Sequence, residues 1–227
     1  MEEKMIRINK PEYTDARKRI RSFIKDHHRL PNYVTFKTQT GKRVNLKHDE
    51  YCGLFQGYMQ FYQKHGREPN YLTLNNKASL PLILNYQDDK YSCCPASLQM
   101  ALMFLFDYKY ESYIKKTLGT TTNGTSPDKL ITGAKKLGYK VTRIDREFKQ
   151  VKKALDQYKP VMMHIQTKPT KCLSYINDYG HWILCYKTGD NTYYIADPTK
   201  GFKKCNMNTI NKATNGRKIY YYTVEMI

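Results

Sequence analysis

Four residues in the C-terminal two thirds of the chain have the types and spacing that thiol-based amide hydrolysis needs. Cys93 lies two residues before Pro95, at the start of an amphipathic helix that is predicted from the apolar positions of residues 98–105. Unpaired N–H groups and the positive dipole end at a helix start stabilise a thiolate. Gln87, six residues upstream, would set its side-chain amide beside the Cys93 backbone N–H and form an oxyanion hole.

The segment HWILCYKTGDNTYYIADP, residues 181–198, supplies a general acid and a group to orient it. It reads as a β-hairpin, and a three-residue turn at 188–190 would place His181 opposite Asp197 on one face. Directly opposed Cβ atoms lie roughly 4.5–5.5 Å apart, so the carboxylate would reach the imidazole. A two-residue turn would put Asp197 on the other face instead.

Two neighbouring residues compete for these roles. Cys94 directly follows Cys93 and stays open as an alternative nucleophile. Asp178 lies three residues before His181 and competes with Asp197 for the imidazole.

The other cysteines are expected to be reduced thiols. The chain has six cysteines, and its first residues, MEEKMIRINK, lack the apolar core of a signal peptide. Unsecreted proteins seldom carry disulfides, so we read Cys172, Cys185 and Cys205 as small packing residues. No C-x-x-C pair occurs, and no metal site is predicted.

An internal repeat organises the first 80 residues. RLPNYVTF (29–36) recurs as REPNYLTL (67–74), an offset of 38 residues. Each copy predicts a helix with an apolar stripe that ends before a proline and leads into an extended segment. The repeat places Asn32 and Tyr33 in positions equivalent to Asn70 and Tyr71. We predict a helical domain over residues 1–80.

From residue 81 the pattern changes to helices followed by strands. Predicted helices cover residues 98–105, 127–137 and 145–158, and predicted strands cover 139–144, 161–165, 181–187, 193–197 and 219–225. This order indicates an α+β fold with a mostly antiparallel sheet, so residues 81–227 are expected to form the catalytic domain.

Charge restricts the partners. Lys and Arg outnumber Asp and Glu by 39 to 20, which gives a net charge of +19 and suits a polyanion. Nucleic acid stays an alternative partner, but no helix-turn-helix, zinc-finger, RRM or KH signature appears, so we expect no nucleic-acid partner. No run of 18 apolar residues occurs. We expect no membrane partner, synthesis in the cytoplasm and a monomer.

The segment ARKRIRSFIKDHHRLPNYVTF, residues 16–36, resembles the pseudomurein-binding repeat. This module attaches proteins of methanogenic archaea and their viruses to the pseudomurein wall. The resemblance implies binding to that polymer, whose uronic-acid sugars suit the positive charge. Asn32, Tyr33, Asn70 and Tyr71 are the expected wall contacts, with the tyrosine rings stacked on sugars.

Gln87, Cys93, His181 and Asp197, within YSCCPASLQMAL and GHWILCY…YYIADP, resemble the papain-like cysteine peptidases. The likeness is strongest to the double-glycine branch, whose Cys-Gly-Pro motif reads Cys-Cys-Pro here. It implies a papain-like domain in which these four residues form a Cys-His-Asp triad with an oxyanion glutamine.

Together the two segments resemble the pseudomurein endoisopeptidases, lysins of methanogen viruses and prophages. That resemblance implies hydrolysis of an isopeptide bond between alanine and a lysine side-chain amine on the host wall. No cofactor is required, and Ca²⁺ or another divalent cation is a candidate stimulant. The alternatives are a processing peptidase that cuts after Gly-Gly, an attachment protein with a decayed peptidase domain, and a basic nucleic-acid-binding protein without enzymatic activity.

Overall fold

The first third of the chain consists of two equivalent helix–strand copies. A computed structural model describes residues 6–168, 170–211 and 220–227. Its first elements are β1 (Arg7–Asn9), α1 (Lys10–His27), β2 (Tyr33–Lys37), β3 (Arg43–Lys47), α2 (His48–His65) and β4 (Tyr71–Thr73). The 38-residue offset carries both ends of α1 onto the ends of α2 and the start of β2 onto the start of β4.

The two copies exchange strands. β1 of the first copy pairs antiparallel with β4 of the second, and β2 of the first pairs with β3 of the second. Ile8 therefore faces Leu72, and the equivalent residues Leu46 and Val34 face each other. Each copy thus completes the small sheet of the other.

Buried hydrogen bonds repeat this reciprocity. The Tyr13 hydroxyl donates to the Pro69 carbonyl at 2.5 Å, and its equivalent, Tyr51, donates to the Pro31 carbonyl at 2.7 Å. The two tyrosines are fully buried, and an unpaired hydroxyl there would be costly. These bonds fix the turn of each copy to the helix of the other.

The two helices end in the same way. His28 and Gly66 follow them in the left-handed region, with φ of 54° and 69°, and their N–H groups return to the helix. Such a residue stops a helix before the Pro-Asn-Tyr turn. These elements and Met103–Tyr108 form the first of two compact units, which ends at Ile83 apart from that insertion.

The second unit takes in Leu84–Leu102 and the described residues from Lys109 onward. Its helices are α3 (Cys93–Phe104), which continues past Leu102, α4 (Glu111–Leu118), α5 (Pro127–Lys136), α6 (Phe148–Asp156) and α7 (Met207–Asn211). Its strands are β5 (Tyr139–Ile144), β6 (Val161–Gln166), β7 (Gly180–Gly189), β8 (Thr192–Asp197), β9 (Gly201–Asn206) and β10 (Tyr221–Met226). A 3₁₀ turn covers Lys171–Leu173.

The six strands form one antiparallel sheet in the order β5-β10-β6-β7-β8-β9. This confirms the prediction of an α+β fold with helices before an antiparallel sheet. The predicted start of the last strand, Ile219, lies outside the described residues. Strand β9 was not predicted, because GFKKCN carries neither a β-branched run nor a clear alternation.

Helix α3 corrects the prediction of an amphipathic helix. Residues 92–106 are all buried, so the helix has no solvent face. Its sequence CCPASLQMALMF has no charged residue, as expected for a helix that is buried all round.

Within the described ranges, no helix is long and apolar enough to cross a bilayer.

Alanine substitutions at two glycines of α2 are expected to have opposite effects on stability. A Cβ at Gly53 would lie 2.0 Å from the Asn76 carbonyl oxygen, whereas a Cβ at Gly57 meets no atom within 4 Å. We expect Gly53→Ala to lower the free energy of unfolding by roughly 1–3 kcal/mol through overpacking. Gly57→Ala, the matched control, should raise it by about 1 kcal/mol through helix propensity. Urea denaturation measures both, and equal effects would contradict this packing.

Candidate active site

Cys93 is the first residue of α3, and a turn that begins at Asp89 leads into the helix. The Asp89 carboxylate accepts the Tyr91 backbone N–H and the Ser92 hydroxyl, both at 2.8 Å. Lys115 also bonds to this carboxylate. These contacts, of which the Lys115 bond has the largest effect, lower the pKa of Asp89 to about 2. The charged Asp89 thus holds the turn in place. Cys93 is only 9% exposed, at the positive end of the helix dipole.

His181 and Asp197 form a buried pair. The ring Nε2 lies 3.0 Å from Asp197 Oδ1, and the two residues are 2% and 0% exposed. The same carboxylate oxygen accepts the backbone N–H groups of Thr199 at 2.8 Å and Lys200 at 3.2 Å. Burial opposes ionisation of Asp197, but the His181 bond and these donors together hold its pKa below the ordinary value.

The histidine favours its charged form. Burial acts to lower its pKa, but the bond to Asp197 and interactions with Cys93 together raise the pKa of His181 to about 9. Since Nε2 faces Asp197, Nδ1 is the ring nitrogen left for the thiol. At neutral pH the raised pKa favours the imidazolium form of His181 next to Cys93.

The hairpin reaches this geometry by a different register from the predicted one. Gly189 pairs with Thr192, so the turn has two residues and the predicted three-residue turn is wrong. A β-bulge at Tyr186 then adds a residue to β7, which shifts the faces once more. Continuing the register puts Asp197 on the same face as His181 and diagonal to it, within reach of long side chains.

Gln87 is held at both ends of its amide. Its Nε2 donates to the Asp89 carbonyl at 2.6 Å, and its Oε1 accepts the Thr199 hydroxyl at 3.0 Å. Its backbone N–H donates to the Pro198 carbonyl at 3.0 Å. The glutamine therefore joins the turn before Cys93 to the segment directly after Asp197.

Glu111, which the sequence analysis missed, holds the loop that carries Gln87. Its carboxylate accepts the Asp88 backbone N–H at 3.0 Å and the Asn85 side-chain amide at 2.7 Å. Burial raises the Glu111 pKa to about 7. In the sequence ESYIKKTL this residue looks like an ordinary solvated helix start, so nothing local indicated its role.

Tyr175 was also missed. Its hydroxyl lies 2.9 and 3.0 Å from the two Asp197 oxygens and 3.0 Å from His181 Nε2. Burial and the nearby carboxylate raise its pKa, so the hydroxyl stays protonated and donates to Asp197. Tyr179 stands edge-on to the His181 ring, with centroids 6.2 Å apart. A chain with 21 tyrosines offers no local signal that singles out these two.

Cys172 and Cys205 are joined by a disulfide, so the prediction that they are reduced thiols is wrong. The bond ties the 3₁₀ turn before Tyr175 to strand β9. Spacing could not indicate the pair, because connectivity depends on the fold. Cys185 is a free, buried cysteine.

The competing residues lie in different surroundings. Cys94 is fully buried, and burial raises its pKa well above the ordinary thiol value. Asp178 is exposed and accepts the Lys168 backbone N–H at 3.3 Å.

Within the described part of the chain, no three His, Cys, Asp or Glu residues are grouped as metal ligands.

The predicted wall contacts lie in the first unit. Tyr33 and Tyr71, at the starts of β2 and β4, are 60% and 44% exposed. Asn32 and Asn70 are exposed beside them. The Arg7 guanidinium covers the Tyr71 ring at 5.0 Å. These four residues lie on the surface of the first unit, and their role as wall contacts stays a prediction.

Known families match both parts of the chain. Residues 82–220 match the model of the Peptidase C39 family, and residues 7–36 match that of the pseudomurein-binding repeat. No curated protein matches.

Solved peptidase structures are similar to part of this chain. The peptidase domain of Streptococcus ComA, a bi-functional ABC transporter involved in a quorum sensing pathway, is 19% identical, with a TM-score of 0.50 over 63% of this chain and 98% of its own. A double glycine motif protease from an AMS/PCAT transporter, in complex with the leader peptide, is 18% identical, with a TM-score of 0.48 over 63% and 91%. A protein described as a C39-like peptidase from Bacillus anthracis is 11% identical, with a TM-score of 0.49 over 63% and 94%.

Alkylation should separate the two adjacent thiols. At pH 7 we expect iodoacetamide to modify Cys93 and to leave Cys94 unmodified in the folded protein, because Cys94 has no exposed surface. Peptide mass spectrometry identifies the modified residue, and Cys93→Ser provides the blank. Alkylation of Cys94 at a comparable rate would reverse the assignment of the nucleophile.

Removing the carboxylate should change the titration of the imidazole. Asp197→Asn takes away a contribution that raises the His181 pKa and leaves the burial that lowers it. We therefore expect the pKa to fall clearly below about 9, measured from the ring C–H signals in NMR titrations. Asp178→Asn is the control and should leave the titration unchanged. The opposite pattern would make Asp178 the partner of His181.

Proposed function

Because the chain belongs to the Peptidase C39 family, we propose that it is a pseudomurein endoisopeptidase that cleaves the bond between alanine and a lysine side-chain amine in wall cross-links. The observation that carries this proposal is the presence of a pseudomurein-binding repeat and a cysteine peptidase domain in one chain. The repeat supports binding to the wall polymer, and the peptidase domain supplies the hydrolysis.

In the first chemical step, the Cys93 thiolate attacks the isopeptide carbonyl. Negative charge develops on the carbonyl oxygen, and N–H groups of Gln87 and the Cys93 backbone stabilise it. The amide nitrogen of Gln87 has two protons, one directed to the Asp89 carbonyl and the other assigned to this oxygen. When the C–N bond breaks, the imidazolium of His181 gives its Nδ1 proton to the leaving lysine amine, and a thioester remains.

In the second step, water hydrolyses the thioester. Neutral His181 removes a proton from water as the oxygen attacks the carbonyl, and the C–S bond then breaks to release the carboxylic acid and the Cys93 thiolate. Asp197 remains ionised throughout and keeps Nε2 oriented. The lowered pKa of Asp197 and the raised pKa of His181 support these roles at neutral pH.

The positive charge supports an anionic polymer as the partner. A net charge of +19 attracts a polyanionic wall at low and moderate salt. We propose action as a monomer on the host wall, as the lysin of a virus or prophage. In this proposal the chemical steps need no cofactor. Ca²⁺ is proposed only to stimulate hydrolysis of the wall.

Identifying the freed amine tests this proposal. Purified pseudomurein sacculi are incubated with the protein, and new amines are labelled with fluorodinitrobenzene and identified after acid hydrolysis. We expect labelled lysine side-chain amines and falling turbidity with the unaltered chain. Cys93→Ala should show neither, while Cys94→Ala keeps measurable activity.

A competing substrate decides between the two reaction classes. A synthetic leader peptide with a Gly-Gly site is offered in parallel with the sacculi. Cleavage of the peptide without any amine released from the walls would favour a processing peptidase and contradict the proposal.

A further inference from the structure

The two repeat copies differ at one face of their helices. In the first copy, Asp15 and Arg19 form an ion pair at 2.7 Å, and Arg19 also donates to the Thr35 carbonyl at 3.0 Å. The 38-residue offset replaces this pair with Gly53 and Gly57 in the second copy. The arginine side chain that crosses from helix to strand in the first copy therefore has no counterpart in the second.

A groove of about 370 Å³ lies at that place in the second copy. It runs between α2 and β4 and is lined by Gly57, Thr73 and neighbouring residues. Gly57 and Thr73 are the equivalents of Arg19 and Thr35, the two residues whose hydrogen bond bridges this space in the first copy. The groove volume falls within the range of ligand clefts, about 300–1,000 Å³.

Packing does not require the second glycine. Gly53 lets the Asn76 backbone approach α2, since a Cβ there would lie 2.0 Å from the Asn76 carbonyl oxygen. Gly57 has no atom within 4 Å of its missing Cβ, although glycine in a helix interior lowers stability relative to alanine. What Gly57 provides is open space above β4.

The groove lining suits an acidic sugar. Tyr71 and Phe61 offer aromatic surface, and Asn70 and Asn75 offer amide donors and acceptors. Among the described lining residues, Arg67 is the only charged one. Its guanidinium lies over the Phe61 ring at 5.2 Å, and its geometry suits a carboxylate.

We infer that the second repeat copy, through the groove between α2 and β4, is the site that binds a carboxylate-bearing sugar ring of the wall polymer. Arg67 pairs with the carboxylate, and Tyr71 covers the ring face. In the first copy, Arg19 occupies the equivalent space, so Asn32 and Tyr33 lie on a filled surface. This inference rests on the proposed function, because it takes the wall polymer as the ligand.

Filling the groove is the direct test. The Cys93→Ala chain is used so that the wall stays intact, and its affinity for purified pseudomurein sacculi is measured by co-sedimentation. Gly57→Arg places an arginine where the first copy has Arg19 and should weaken binding on the order of tenfold, as expected for loss of a central contact. The thermal midpoint should not fall, because a Cβ at this position meets no atom within 4 Å and arginine favours a helix more than glycine does.

Matched variants locate the site. Tyr71→Ala and Arg67→Gln should each weaken binding, whereas the equivalent Tyr33→Ala and Arg29→Gln should not. Sacculi whose carboxyl groups have been reduced to alcohols should bind the parent chain more weakly. On them, Arg67→Gln should cause no further loss, because the pair it tests is already absent.

The outcomes separate this inference from the proposed function. Binding by Gly57→Arg equal to that of the parent, or equal losses in the Tyr33 and Tyr71 variants, would overturn the groove assignment while the lysin proposal stands. A parent chain that binds no sacculi would overturn both.

Discussion

The candidate active site depends on hydrogen-bond donors that stabilise one buried charge. Asp197 has no exposed surface, and a carboxylate there is stable only if donors replace the water it has lost. His181, Tyr175 and the backbone after Asp197 supply those donors. Thr199, which gives its N–H to Asp197, gives its hydroxyl to Gln87. One segment therefore positions both Gln87 and, through Asp197, His181.

Local patterns predict the chemically active residue types and most elements of the second unit, but not α4, α7 or β9. The start of α3 at Cys93 was readable because a proline and an apolar period mark it, and the helices-then-strands order indicated the fold class. The sequence predicts the pairing of His181 with Asp197 from a hairpin register that the structure does not have. The two-residue turn moves Asp197 to the face opposite His181, and the bulge at Tyr186 moves it back. No glycine or proline at the bulge indicates its position in the sequence.

The missed features all depend on contacts between distant parts of the chain. Glu111 is 23 residues from the backbone N–H it accepts, and Tyr175 is 22 residues from Asp197. The Cys172–Cys205 bond spans 33 residues. In each case the residue type is common in its local setting, and only the folded chain gives it a partner.

The strand exchange between the two repeat copies divides the surface of the first unit into two kinds of position. A change in any of the four short strands alters both copies together, since each strand lies against one from the other copy. Residues on the outer helix faces do not pair with the other copy, so they can differ between the copies. Arg19 and its equivalent, Gly57, are an example. One copy is therefore free to specialise in recognition while its twin serves only as scaffold, and neither could be deleted without stripping the other of its sheet.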